Sequence, residues 1–148
     1  VYPNMFASMA YLKQNFRETR QWLSQAEAAS NSKDNINSNL KILEIMSFLE
    51  ESEWDMATIK LENLRKFHSN HTVDTRNVEI YKLLNRLVRH DFDFLKQYQE
   101  TQHLIQQMNQ KYPWAPFSME MIRFDVWFQA KAERIDYWQL FQELVGNS

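Results

Sequence analysis

Residues 39–55 read NLKILEIMSFLEESEWD and residues 77–93 read NVEIYKLLNRLVRHDFD, two stretches that begin 38 positions apart. Set one on the other, Asn39, Leu40, Ile42, Ile45, Met46 and Leu49 fall on Asn77, Val78, Ile80, Leu83, Leu84 and Leu87. The closing aromatic-acidic pair, Trp54-Asp55, falls on Phe92-Asp93, and Phe16 stands a further 38 positions upstream of Trp54. A period of this length fits stacked helix pairs, an arrangement that more often binds other proteins than carries chemistry.

The interior of the period is helical. One Gly and three Pro leave little of the turn chemistry that β-hairpins need. Within 39–49 the apolar residues Leu40, Ile42, Leu43, Ile45, Met46 and Leu49 contain the three- and four-residue steps of one helix face. A second stripe of Ile59, Leu61, Leu64 and Phe67 follows over 56–67, with Glu51, Ser52 and Glu53 as the turn between them. Residues 78–88 and 92–108 repeat the hairpin with Arg89, His90 and Asp91 as its turn, and Lys13, Gln14 and Asn15 hold the same place before Phe16. Polar clusters at 30–34 and 70–74 separate the pairs, with Asp34 and Asp74 placed to cap the incoming helices. The reading is three helical hairpins, 1–29, 34–70 and 74–110, and a capping segment 111–148, in a single domain 1–148.

Phe16, Trp54 and Phe92 are the structural positions of this repeat. At the first turn of the second helix, a large ring can fill the wedge where the paired helices converge. On that reading Trp54→Ala costs about 3–5 kcal/mol.

Over roughly 1–109 the hairpin length, the turn and the openings Trp54-Asp55 and Phe92-Asp93 resemble the tetratricopeptide-like superfamily of helical repeats. The resemblance implies an all-α, right-handed array whose surface receives a protein or peptide. Ala7, Ala26 and Ala57 keep the small residues that such repeats place between helices, whereas Ile45, Leu64, Leu83, Leu95 and Gln102 are larger than that pattern. The period also exceeds the usual repeat of about 34 residues. The resemblance is therefore to a divergent member.

In the 38-residue register the charges of the first helices change sign. Lys41, Glu44 and Glu51 match Glu79, Lys82 and Arg89, so neighbouring first helices are expected to pair across the groove, each exposed pair contributing about 0–1 kcal/mol. The functional alternative is that Lys82, Arg86 and Arg89, on one helical face, receive an acidic or phosphorylated ligand.

The last forty or so residues leave the period. Tyr112, Pro113, Trp114, Ala115, Pro116 and Phe117 form a proline-bounded aromatic loop. Ser118 is placed to cap a helix carrying Met121, Ile122, Phe124, Val126, Trp127 and Phe128, although Ile122, Phe124, Val126 and Phe128 also alternate like a strand. Asp136 then caps a final helix with Tyr137, Trp138, Leu140, Phe141, Leu144 and Val145, stopped at Gly146. Such a tail covers the open end of a stack. Its alternative use is a partner groove or homodimer surface built on Trp114, Phe117, Trp127 or Trp138.

Composition narrows the function. Seventeen basic against nineteen acidic side chains give a net charge of −2, which argues against general nucleic-acid binding. No cysteine is present, so thiolate metal sites and cysteine nucleophiles are excluded, and a reducing, cytoplasmic setting is the expectation. Charges break every apolar run short of a membrane span, and no leader opens the chain, although Val1 suggests the C-terminal part of a longer protein. One Gly cannot make a dinucleotide fingerprint or a P-loop. His68 and His71 lack further ligands, and Glu100-x-x-His103 lacks the second copy that a di-metal bundle needs. The expectation is a noncatalytic interaction or scaffold module without cofactor or metal. Glu120 and Asp125 are separate carboxylates whose spacing does not indicate acid-base catalysis, and a helical enzyme with an unrecognised carboxylate-histidine site is the other alternative.

Overall fold

The computed structural model describes residues 2–30, 34–116 and 118–146, and every regular element among them is an α-helix. In chain order these are α1 (Tyr2–Leu12), α2 (Phe16–Ser30), α3 (Asp34–Glu50), α4 (Trp54–Asn70), α5 (Thr75–Arg89), α6 (Phe94–Glu100), α7 (Gln102–Lys111), α8 (Phe124–Glu133) and α9 (Tyr137–Gly146). None of them is long and apolar enough to cross a membrane. Asn31, Ser32, Lys33 and Phe117 lie outside the described residues, as does the side chain of Asp34, which opens α3.

The helix ends explain the period. At the end of α1, the Asn15 N–H donates to Ala10 O (2.9 Å) and the Gln14 N–H to Tyr11 O (2.9 Å). At the end of α3, the Glu53 N–H donates to Phe48 O (2.9 Å) and the Ser52 N–H to Leu49 O (3.2 Å). These paired bonds are Schellman caps, which satisfy carbonyls that the helix itself leaves open. They require a left-handed residue, supplied by Gln14 (φ 61°) and Ser52 (φ 56°). The same outer bond closes α5, from Phe92 N to Leu87 O (2.8 Å), and α8, from Ile135 N to Ala130 O (3.0 Å), with Asp91 and Arg134 left-handed. Glycine is the usual occupant of that conformation, but the single glycine of this chain is Gly146.

The next helix starts at once. Asn15 Oδ1 accepts from the Glu18 N–H (3.2 Å), Asp93 Oδ1 from Lys96 (3.1 Å) and Asp136 Oδ2 from Gln139 (3.0 Å), the last as the sequence predicts. Asp74 directly precedes α5, in its expected place. Glu53 makes no side-chain cap bond.

The third turn corrects the repeat register. Phe92 is itself left-handed (φ 59°) and precedes the cap Asp93, so the second helix begins at Phe94. Buried positions confirm the shift: Thr19 and Leu23 of α2 match Ala57 and Leu61 of α4 at 38 residues, but Gln97 and Thr101 match those at 40. Phe94, not Phe92, thus occupies the place of Phe16 and Trp54. The wedge role of the ring is also corrected. Trp54 is 37% exposed, because Ala57, Leu61 and Leu64 already fill the buried side of α4. Ile59, expected within that stripe, is exposed.

By contacts the chain divides into two compact units, 1–81 and 82–148, with the dividing point inside α5. In the first unit α1 packs on α2, α2 on α3 and α3 on α4. Its centre is α3, whose Ile45, Met46 and Leu49 are almost fully buried. Each such side chain contributes about 1.5–3 kcal/mol. Lys41 and Glu44 of α3, and Glu51 just after it, have partners close by: Lys41 pairs with Glu27 (3.9 Å), Glu44 with Lys60 (3.5 Å) and Glu51 with Arg20 (2.6 Å). Arg20 and Glu27 lie on α2 and Lys60 on α4. Both helices are packed on α3.

In the second unit α6 packs on α8 and α8 on α9. Thr101 interrupts the helix between α6 and α7, its hydroxyl donating back to Gln97 O (2.7 Å), a bond that bends helices. Phe94 meets Trp127 (5.8 Å) and Phe128 (6.3 Å) edge-on, and Tyr98 meets Phe128 (5.5 Å). α8 is the core of this unit, with Phe124, Val126, Trp127, Phe128, Ala130 and Ala132 all buried. That burial on nearly every side produces the strand-like alternation of the sequence. Ser118 does not start this helix, which begins six residues later where Glu120 Oε2 accepts the Phe124 N–H (2.9 Å).

Candidate interaction surfaces

The aromatic surface of the second unit is assembled from the loop before α8. The buried Glu120 holds the start of α8 with its carboxylate, and its backbone carbonyl accepts from Trp114 Nε1–H (2.7 Å). Trp114 is thereby fixed by one end. Arg123 places its guanidinium over the Trp114 ring (5.3 Å) and donates through Nε to Asp125 Oδ1 (2.8 Å). Asn109 Nδ2 donates to the other carboxylate oxygen of Asp125 (3.1 Å). The backbone N–H of Arg123 donates to the Tyr137 hydroxyl (2.9 Å), and burial pushes that phenol above its ordinary range.

On this base stands α9. Phe141 meets Trp114 edge-on (5.8 Å, 86°) and lies nearly parallel to Trp138 (5.7 Å, 14°) and to Tyr137 (5.9 Å, 28°). Leu140 faces the core with Val126 and Ala130. Trp138 is 46% exposed and Val145 42%, so one side of α9 presents an apolar face whose largest ring is already held by stacking. Among the sequence candidates, Trp114 is half-buried and belongs to this surface. Trp127 does not. It is 1% exposed, packed between Phe94 and Phe124, and cannot meet a partner. Phe117 is outside the described residues.

The basic candidates are differently placed. Arg86 donates through Nε to Gln97 Oε1 (3.3 Å) and pairs with Glu100 (3.5 Å), so its charge is already met within the hairpin. Lys82 and Arg89 are exposed. Glu100, the acid of the Glu-x-x-His unit, is used in that ion pair. No group of three His, Cys, Asp or Glu side chains among the described residues is arranged to hold a metal ion.

In the first unit, His68 and His71 serve local structure. Ser38 Oγ lies 2.8 Å from His68 Nε2, and burial lowers the imidazole below its ordinary pKa. A Ser-His contact suggests nucleophilic chemistry, but Ser38 is fully buried and His68 Nδ1 has no hydrogen-bond partner among the described residues to orient the ring. His71 stacks on Phe67 (4.0 Å, 14°) and donates from Nδ1 to Phe67 O (2.9 Å).

One surface was missed in the sequence. Met5, Phe6, Met9 and Leu12 are between 39% and 49% exposed, all on α1, while Ala7, Ala10 and Tyr11 form its buried side. The signal was present in Met5, Met9 and Leu12 at helical spacing without one charge in α1.

No family model matches the chain, and no curated protein or solved structure matches it.

Proposed function

We propose that the chain is a noncatalytic protein-interaction module, a divergent tetratricopeptide-like helical repeat that offers apolar helix faces to protein partners. The carrying observation is Trp138, 46% exposed and stacked on Phe141, which is itself braced by Trp114. A ring held in place before binding loses little conformational freedom on contact, and tryptophan is the residue most enriched among binding hot spots. The polar chemistry supports the same reading, since Glu120, Asp93 and Asp136 cap helices while Arg86 and Glu100 brace a hairpin.

Binding of an acidic ligand by Lys82, Arg86 and Arg89 has less support, because Arg86 already meets Glu100. The test is capture of partners by the immobilised chain, followed by quantitative binding with Trp138→Ala. Loss of about 2 kcal/mol or more, roughly thirtyfold in affinity, with an unchanged melting temperature is the expected result. Equal binding by the wild type and the Trp138 variant would remove this surface from the function.

A further inference from the structure

The two Schellman turns place α1 and α3 in register, because Ala10 O accepts from Asn15 N as Phe48 O accepts from Glu53 N. Under that 38-residue correspondence Met5, Met9 and Lys13 of the first hairpin match Leu43, Ser47 and Glu51 of the second. The matching side of α3 is covered by α2. Arg20 donates to Ser47 Oγ (3.2 Å), lies over the Phe48 ring (4.3 Å) and pairs with Glu51 (2.6 Å), while Glu27 further along α2 pairs with Lys41 (3.9 Å). The first turns of α2 therefore lie beside the end of α3, and the two helices run antiparallel.

One hairpin earlier, the same side is bare and its chemistry is changed. Met5 and Met9 are 49% and 48% exposed, and Leu12 beside them is 39% exposed. Glu51 is replaced by Lys13, which is exposed and makes no ion pair among the described residues, and Lys41 is replaced by the uncharged Pro3. Flexible thioethers adapt to an incoming apolar surface better than branched side chains do.

We propose that the Met5–Met9–Leu12 side of α1 docks an amphipathic helix of a partner protein. The helix lies antiparallel to α1, with an Asp or Glu in its early turns against Lys13 and an apolar residue two turns later near Pro3. Two observations argue for this occupant. The α2–α3 interface continues onto α1 by the turn register, which gives a helix and its direction. The inversion from Glu51 to Lys13 gives the sign of its charge, opposite to Arg20. An acidic residue near a helix N-terminus is also favoured by the helix dipole. The inference rests on the reading of the chain as an interaction module but uses a surface separate from Trp138.

The test uses the whole chain and two synthetic peptides of residues 16–30, both carrying Glu27→Leu, one with Arg20→Glu and the other keeping Arg20. Binding is measured by fluorescence anisotropy. The acidic peptide is expected to bind about two- to fivefold more tightly than the basic one, the range of one exposed ion pair. Lys13→Glu, a change at an exposed position, is expected to reverse that preference, and Met5→Ser with Met9→Ser to weaken both peptides about tenfold. Equal affinities for the two peptides, or a preference that Lys13→Glu leaves unchanged, would overturn the proposal. Self-association of the chain in sedimentation that Met9→Glu abolishes would also overturn it, because the occupant would then be a second copy. Trp138→Ala leaves peptide binding intact if the inference holds, so failure at α1 and failure of the Trp138 surface are read separately.

Discussion

Gln14, Ser52, Asp91 and Arg134 adopt a conformation that costs an L-residue about 1–2 kcal/mol, and each stands at the end of a helix. Ser52→Gly should therefore raise stability by about 0.5–1 kcal/mol, the strain relieved being partly offset by the freedom glycine gains in the unfolded chain. Urea denaturation checks it; a fall in midpoint would show that the Ser52 side chain contributes more than its backbone strain costs. His68 gives a pH-dependent counterpart. Burial lowers its pKa in the folded state, so the folded chain binds fewer protons than the unfolded one as pH drops below about 6.5. Stability should fall as the pH drops below about 6.5, and His68→Gln should flatten that slope. Denaturation midpoints at several pH values across this window provide the measurement, and an unchanged slope in the variant would rule out His68 as its source.

At the scale of elements, the sequence made the first two hairpins readable and misplaced the third. The turn residues 13–15 and 51–53 are where the structure has them, because both turns take the same minimal Schellman path. At the third, left-handed Asp91 and Phe92 lengthen the path, and an aromatic in the turn imitated the aromatic that opens the next helix. Side-chain burial was harder still to read. Trp54 and Trp127 are both tryptophans in the first turn of a helix, yet one is 37% and the other 1% exposed, because burial depends on which helices pack around them. The expected cost of truncation follows. Trp127→Ala should cost about 3–5 kcal/mol, whereas Trp54→Ala should cost about 1 kcal/mol. Thermal melts of the two variants rank them, and equal losses would contradict the packing described for α4 and α8.

For the molecule as a whole, a net charge of −2 leaves little long-range field, and Lys41, Glu44 and Glu51 are each met by an adjacent helix. Partner binding through Trp138 should then change little between about 0.1 and 1 M salt, although the screening length shrinks from about 10 to about 3 Å. It should also carry a negative heat-capacity change, the mark of apolar burial. Titration calorimetry at the two salt levels measures both, and a steep loss at high salt would point to the Lys82 and Arg89 side of α5 instead. Both exposed apolar faces left a trace in the sequence, Trp138 on α9 and the uncharged spacing of Met5, Met9 and Leu12 on α1, but their exposure was not legible. The α9 face depends on Phe141 being braced by a tryptophan from a distant loop, and the α1 face on the absence of a covering helix.

The third turn has one more consequence. From Leu49 to Leu87 the buried positions keep a step of 38, and from Ala57 to Gln97 a step of 40, so the surplus residues are confined to a surface bend. Chain length can drift at Asp91 and Phe92 while the interior on either side keeps its own count. This bend is the natural place to splice in an epitope or a fluorophore.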